Sequence, residues 1–179
     1  MGYSTIFHLI SDISNKTGIS CVLIGGFAVN YYKVTRQTAD VDFLITKEDY
    51  KKILGFLEEE GFRQYYIQDV FVRLVSQKGY LMDLDFMFMD KKTLDKIIEE
   101  AVSTTIAGQE FMVPSLNHLI ALKLHAIKHN PKDREFKDFL DITELIKVNR
   151  LDVKSIEFKD LCLKYGTEEL YQKILTWIK

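Results

Sequence analysis

The sequence predicts an α+β fold: a small mixed β-sheet with flanking helices, followed by a C-terminal helical bundle. Three observations predict it. Helical and strand patterns alternate up to Pro114, every later segment reads as helix, and the only two prolines, Pro114 and Pro131, stand where that change occurs. The boundary divides residues 1–113, an α/β core, from residues 114–179, a helical region expected to complete the functional cleft.

The elements follow from periodicity and punctuation. A helix is expected from Tyr3 to Lys16, stopped by Gly18, and a buried strand from Cys21 to Ile24. Gly25-Gly26 then opens a short helix through Phe27, Ala28, Val29 and Tyr31. A strand covers Asp40 to Ile45, and Thr46 caps a helix running to Glu60 before Gly61. A hairpin is expected from Val70–Val75 and Tyr80–Met89, turning at Gln77-Lys78-Gly79. A helix from Lys92 to Val102 leads into an extended pair over Thr104–Val113. Beyond Pro114, Ser115 caps a helix to Lys128, and further helices span Arg134–Val148, Ser155–Lys164 and Thr167–Ile178.

Composition narrows the function classes. The chain of 179 residues is 47% hydrophobic and 28% charged, with a net charge of −2. A core burying roughly 70% of the unfolded surface is within reach at this length. Disordered and disulfide-stapled classes are excluded. Mild acidity argues against a chain whose main task is to coat nucleic acid by neutralising phosphates. Only two cysteines occur, Cys21 and Cys162, and neither has a partner at metal-ligand spacing. Apolar runs are far too short for a membrane span, and Met1-Gly2-Tyr3 shows no signal pattern. A cytoplasmic protein without membrane contact is expected.

Four carboxylates interrupt what should be the best-buried strands. In Asp40-Val41-Asp42-Phe43-Leu44-Ile45 the two-residue period puts Asp40 and Asp42 on one face and Val41, Phe43 and Ile45 on the other. Alternate Cα atoms in a strand lie about 6.5–7 Å apart, close enough for both side chains to reach one cation. In Leu81-Met82-Asp83-Leu84-Asp85-Phe86 the same rule aligns Asp83 with Asp85. Asp is disfavoured in strands, and clustered carboxylates raise one another's pKa unless a cation intervenes. The hard, oxygen-only donor set suits Mg²⁺ or Mn²⁺ rather than zinc. The competing reading is a pair of strand ends facing solvent.

Leu23-Ile24-Gly25-Gly26-Phe27-Ala28 supplies a strand, a turn and a helix start, where small residues let backbone N–H groups approach a phosphate. Alone, such a turn is an ordinary strand-to-helix connection. Here it precedes Arg36-Gln37-Thr38-Ala39-Asp40-Val41-Asp42. Together with a carboxylate on a later strand, these residues resemble the DNA polymerase β-type nucleotidyltransferase superfamily. The resemblance implies that Gly25 and Gly26 hold a nucleoside triphosphate (NTP), and that Asp40 and Asp42 bind two divalent metal ions. A third carboxylate, Asp85 with Asp83 as the alternative, then assists the attacking group. Arg36 is expected to hold a phosphate or the acceptor, and Thr38 to fix the loop.

The second half resembles the AbiEii-like branch, the nucleotidyltransferase toxins of type IV abortive-infection systems. Its motifs here are Val113-Pro114-Ser115-Leu116, the helix around Lys123, and Lys137-Asp138-Phe139-Leu140-Asp141. The resemblance implies metal-dependent transfer of a nucleoside monophosphate to a hydroxyl acceptor such as a tRNA 3′ end, and a cognate antitoxin as partner. A small-molecule acceptor of the aminoglycoside kind is the alternative, and a catalytically silent nucleotide-binding module the different-class one. Lys123 is expected to neutralise triphosphate charge, against the plain reading of a lysine snorkelling at a helix edge. Asp138 is expected to orient Lys123 or a metal-bound water, against the plain reading of a surface carboxylate. His118, His125 and His129 read as helix residues, since no third zinc ligand accompanies the 125/129 pair. Phe27, Tyr31 and Tyr32 read as core, and Lys128, Lys132, Arg134 and Lys137 as solvated surface.

Overall fold

The computed structural model describes residues 2–178; Met1 and Lys179, the outer ends of the two expected segments, lie outside the described residues. The chain groups into two compact units. One comprises the segment up to Ala28 together with Gln37–Pro114; the other comprises Val29–Arg36 together with the chain from Ser115 onward.

The first unit carries α1 (Ile6–Thr17), β1 (Val22–Leu23), β2 (Asp40–Ile45), α3 (Lys47–Glu59), β3 (Phe62–Gln68), β4 (Phe71–Ser76), β5 (Asp83–Phe88), α4 (Lys91–Glu99), β6 (Val102–Ile106) and β7 (Gln109–Val113). The unit boundary falls inside α2 (Gly25–Tyr31). The strands form one seven-stranded sheet in the order β3-β4-β5-β2-β1-β7-β6. Pairing is antiparallel except for β2 with β5 and β1 with β7, which are parallel. The sheet is therefore mixed, as expected.

Parallel pairing of β2 with β5 sets the register on which the site depends. Asp40 lies opposite Asp83, Val41 opposite Leu84, Asp42 opposite Asp85 and Phe43 opposite Phe86. Alternation then sends all four aspartates to one face and the apolar set to the other. On the apolar face Phe43 stacks on Phe86 with ring centres 5.9 Å apart. Tyr50 of α3 meets Phe86 at 5.5 Å, and Phe7 of α1 meets Phe111 of β7 at 5.6 Å. Val41, Leu84, Phe43 and Phe86 are fully buried, each contributing about 1.5–3 kcal/mol of burial. The ends of α1 and α3, which pack on this face, are fixed by sequence-local devices. Thr5 accepts from His8 N to cap α1, Gly18 closes it at φ +66°, and Thr46 accepts from Asp49 N to cap α3.

The second unit contains α5 (Leu116–His129), α6 (Pro131–Asn149), α7 (Ile156–Tyr165) and α8 (Glu168–Trp177). Each buries a stripe at helical spacing: Leu119, Ile120, Leu124 and Ile127 on α5, and Phe139, Ile142, Leu145 and Ile146 on α6. Ser115, Ser155 and Thr167 each cap a helix by accepting from the backbone N–H three residues on. Asn149 Nδ2 donates to Tyr32 O at 3.2 Å, tying Val29–Arg36 to the end of α6.

The structure departs from the sequence reading at four places. Strand β3 was not expected, because only Phe62 of its seven residues is buried and both faces of this edge strand carry exposed side chains. Strand β5 begins at Asp83 rather than Tyr80, α4 ends at Glu99 rather than Val102, and α6 begins at Pro131 rather than Arg134. Proline is tolerated at the first helical position, where its missing N–H has no helical acceptor to lose. No described helix is long and apolar enough to cross a membrane.

Candidate active site

The sheet unit gathers its predicted site residues around β2. Gly25 has φ +62°, and a Cβ built there would stand 1.9 Å from Asp42 Oδ2. A Cβ at Gly26 would stand 2.6 Å from Thr38 Cβ. Both glycines are thus required by close approach, the first also by its backbone conformation. They belong to α2 itself instead of a turn before it. Ile24 N donates to Asp42 O at 2.9 Å, so the Gly25-Gly26 entry is stitched to the aspartate strand. Thr38 Oγ1 donates to Asp40 O at 3.1 Å and to Asp40 Oδ1 at 2.9 Å, holding that carboxylate from the loop side.

Asp40 and Asp85 converge on a cation that the sequence reading did not single out. Arg73 of β4 pairs with Asp85 in register. Its Nε and Nη2 donate to the two carboxylate oxygens of Asp85 at 2.8 and 2.6 Å, and Nη2 also donates to Asp40 Oδ2 at 2.8 Å. The Asp85 and Asp40 carboxylates hold the guanidinium pKa above its ordinary value, the bond to Asp85 being the largest cause. Asp83 sits apart from this group: its Oδ1 accepts Ser76 N at 2.9 Å, closing the end of the β4–β5 ladder. The signal for Arg73 was present in the sequence. In Phe71-Val72-Arg73-Leu74 the buried residues are Val72 and Leu74, so alternation turns Arg73 to the opposite face.

The other predicted residues form a second cluster within the helical unit. Lys123 Nζ donates to Asp138 Oδ1 at 2.8 Å and to Asp141 Oδ2 at 2.6 Å. Arg36 Nη1 donates to Asp141 Oδ2 at 3.0 Å. Asn30 clamps the Arg36 backbone by accepting from its N at 2.8 Å and donating to its O at 3.0 Å. Lys123, Asp138 and Asp141 are all buried. Asp141 belonged to the recognised motif but not to the predicted catalytic set. Lys137 is exposed. His125 and His129 lie with ring centres 4.2 Å apart, and burial and the neighbouring His129 and Lys128 lower the His125 pKa. Phe27 packs edge-on against Phe7 at 5.0 Å.

A family profile described as "Uncharacterised nucleotidyltransferase" matches residues 7–179. The chain belongs to this nucleotidyltransferase family. Solved structures with the same fold include ANT(2'')-Ia in complex with adenylyl-2''-tobramycin, 15% identical over 96% of each chain with a TM-score of 0.61. The lincomycin-bound lincosamide antibiotic adenylyltransferase LnuA is 16% identical over 79% of this chain and 94% of its own, with a TM-score of 0.55. An antigenic nucleotidyltransferase-like protein from Paracoccidioides brasiliensis is 18% identical over 96% of this chain and 90% of its own, with a TM-score of 0.53. No curated protein matches the sequence. This nucleotidyltransferase is therefore an enzyme with the mixed-sheet fold of its structural neighbours, and its substrate on the donor side is an NTP.

The donor set around β2 and β5 fits a divalent cation. It is made of carboxylate oxygens alone, Arg73 already stands between two of them as a cation, and the absence of a side chain on Gly25 lets Asp42 keep its position against the backbone. Among the described residues no three His, Cys, Asp or Glu side chains form a ready-made metal cage.

Proposed function

We propose that this nucleotidyltransferase moves a nucleoside monophosphate from an NTP to a hydroxyl acceptor, with Mg²⁺ or Mn²⁺ held by Asp40, Asp42 and Asp85. The observation that carries the proposal is the β2–β5 register. It brings Asp42 level with Asp85, and turns both to the face opposite the aromatic core. In the reaction the acceptor oxygen bonds to the α-phosphorus, the bond from that phosphorus to the β-phosphate oxygen breaks, and pyrophosphate leaves. A divalent cation bound there supplies positive charge to the entering and leaving oxygens. Asp85 takes the hydrogen bond of the acceptor hydroxyl and favours loss of its proton. Gly25 and Gly26, assigned to the NTP, let the backbone lie directly against Asp42 and Thr38, and Thr38 keeps Asp40 oriented. Arg36, held by Asn30 and Asp141, is assigned the holding of a phosphate or the acceptor, and Lys123, bound to Asp138 and Asp141, is assigned the keeping of that arrangement in place. Asp85 is preferred to Asp83 as the third carboxylate because it shares Arg73 with Asp40, whereas Asp83 lies outside that group on the Ser76 backbone.

Two acceptor classes are carried forward. The AbiEii-like motifs support a tRNA 3′ end and, with it, an antitoxin partner in a reducing cytoplasm. The adenylylated tobramycin in one structural neighbour and the lincomycin in another support a small hydroxylated acceptor. Incubating the protein with each α-labelled NTP, Mg²⁺ or Mn²⁺, and either total tRNA or a panel of aminoglycosides and small polyols decides between them. Label should pass to one pool and be lost with Asp42→Asn. Nucleotide binding without label transfer to any acceptor would defeat the reading in favour of a silent binding module.

A further inference from the structure

The cation between Asp40 and Asp85 has a consequence for metal binding. Of the four oxygens on these two carboxylates, three face Arg73 and the fourth, Asp40 Oδ1, accepts from Thr38. A divalent cation taking the Arg73-facing oxygens is opposed while the guanidinium keeps them, because a cation and a guanidinium at hydrogen-bond distance from the same oxygens repel one another. Arg73 is free to leave. Its side chain is 39% exposed, against 7% for Asp85, and it reaches the site along a flexible stem from β4. The ligand that would draw it away carries the complementary group, since a planar guanidinium binds phosphate oxygens as readily as carboxylate oxygens.

We infer that Arg73 is a built-in counter-cation of the active site, which neutralises Asp40 and Asp85 when no divalent cation is bound and competes with that cation for them. The inference rests on the metal-dependent reading above and adds to it a coupling between the two substrates of the site. A divalent cation alone must displace Arg73 without compensation. A divalent cation arriving with an NTP brings phosphate oxygens that accept the displaced guanidinium. The nucleotide therefore tightens metal binding, and by linkage the metal tightens nucleotide binding by the same factor. The device keeps the carboxylates together in the metal-free protein, where their mutual repulsion would otherwise splay β2 from β5.

The test is direct binding of Mn²⁺, followed by the paramagnetic resonance of the free ion, with and without α,β-methylene-ATP, which cannot be cleaved at the α-phosphate. Wild type should bind Mn²⁺ weakly alone and much more tightly with the analogue. Arg73→Gln should bind Mn²⁺ alone about 10-fold more tightly than wild type, and the enhancement by the analogue should shrink accordingly. Its melting temperature should fall in EDTA and recover with Mn²⁺ by more than that of wild type. Arg73→Lys, which keeps the charge but loses the two-pronged contact, should fall between the two and serves if Arg73→Gln does not fold. Mn²⁺ affinity unchanged or weakened in a folded Arg73→Gln, or in Arg73→Lys, would overturn the inference and leave the metal-dependent reading intact. Failure of every form, wild type included, to bind Mn²⁺ even with the analogue would instead defeat the metal-dependent reading.

Discussion

The sheet unit and the helical unit each set a pair of aspartates against basic side chains, and they do so in opposite ways. In the helical unit Asp138 and Asp141 meet two cations, Lys123 and Arg36, and Lys123 is only 7% exposed. In the sheet unit Asp40 and Asp85 share one cation, Arg73, which is 39% exposed. The first arrangement is closed and electrically balanced. A buried, balanced ion-pair network contributes little net stability, but removing one member leaves an unpaired charge in low dielectric. The second is open and one positive charge short, with Asp42 beside it in register. Such a site has a use for further positive charge. The difference separates a closed cluster from one open to a further cation.

The comparison breaks or sharpens under five substitutions and one chemical treatment besides Arg73. The largest effect is expected from Asp42→Asn and Asp40→Asn. Each should lower nucleotidyl transfer by about 1,000-fold or more while the melting temperature stays near that of wild type, since the removed charge is one the ligand needs. Next, Lys123→Met leaves Asp138 and Asp141 short of a cation and should cost about 3–5 kcal/mol, a fall of roughly 10 °C in melting temperature. Transfer measured well below that melting point should persist. Loss of transfer without loss of stability would make Lys123 a phosphate-binding residue and erase the contrast between the clusters.

A smaller effect is expected at Gly25. Alanine there meets Asp42 Oδ2 and an unfavourable φ of +62°, costing about 1–3 kcal/mol and lowering transfer by displacing the carboxylate. Gly18→Ala is the control: its φ is +66° with nothing within 4 Å of the added Cβ, so it should lose stability and keep activity. The smallest effect concerns the thiols. Burial pushes Cys21 up to about 11 and Cys162 up to about 12, so at pH 8 only about one thiol in a thousand or fewer is thiolate. Ellman's reagent should react slowly with the folded chain, faster as pH rises, and with both thiols at once in denaturant.

Most of the fold was legible because periodicity and caps agree. Thr46, Ser115 and Thr167 stand at the expected helix starts, and β2 spans Asp40–Ile45 as read. Strand β3 was illegible for a physical reason: Gln64, Tyr65, Tyr66 and Ile67 are all exposed, so no alternation marks a buried face. The carboxylate strands announced themselves because Asp is costly in a β-strand. Arg73 did not, because an arginine on a strand is ordinary until the register shows what lies opposite. Asp141 stood in the recognised motif, but its partners were hidden, since the lysine and arginine that neutralise it lie 18 and 105 residues away in sequence.

The short Val29–Arg36 segment also bears on how the protein is made. A ribosome releases it long before α5 to α8 exist, yet it groups with them. It supplies the guanidinium that meets Asp141 and the carbonyl that receives Asn149. The helical bundle is thus completed by a piece of chain that must wait for the whole of α5 to α8 to be made, and a fragment starting at Ser115 emerges without it.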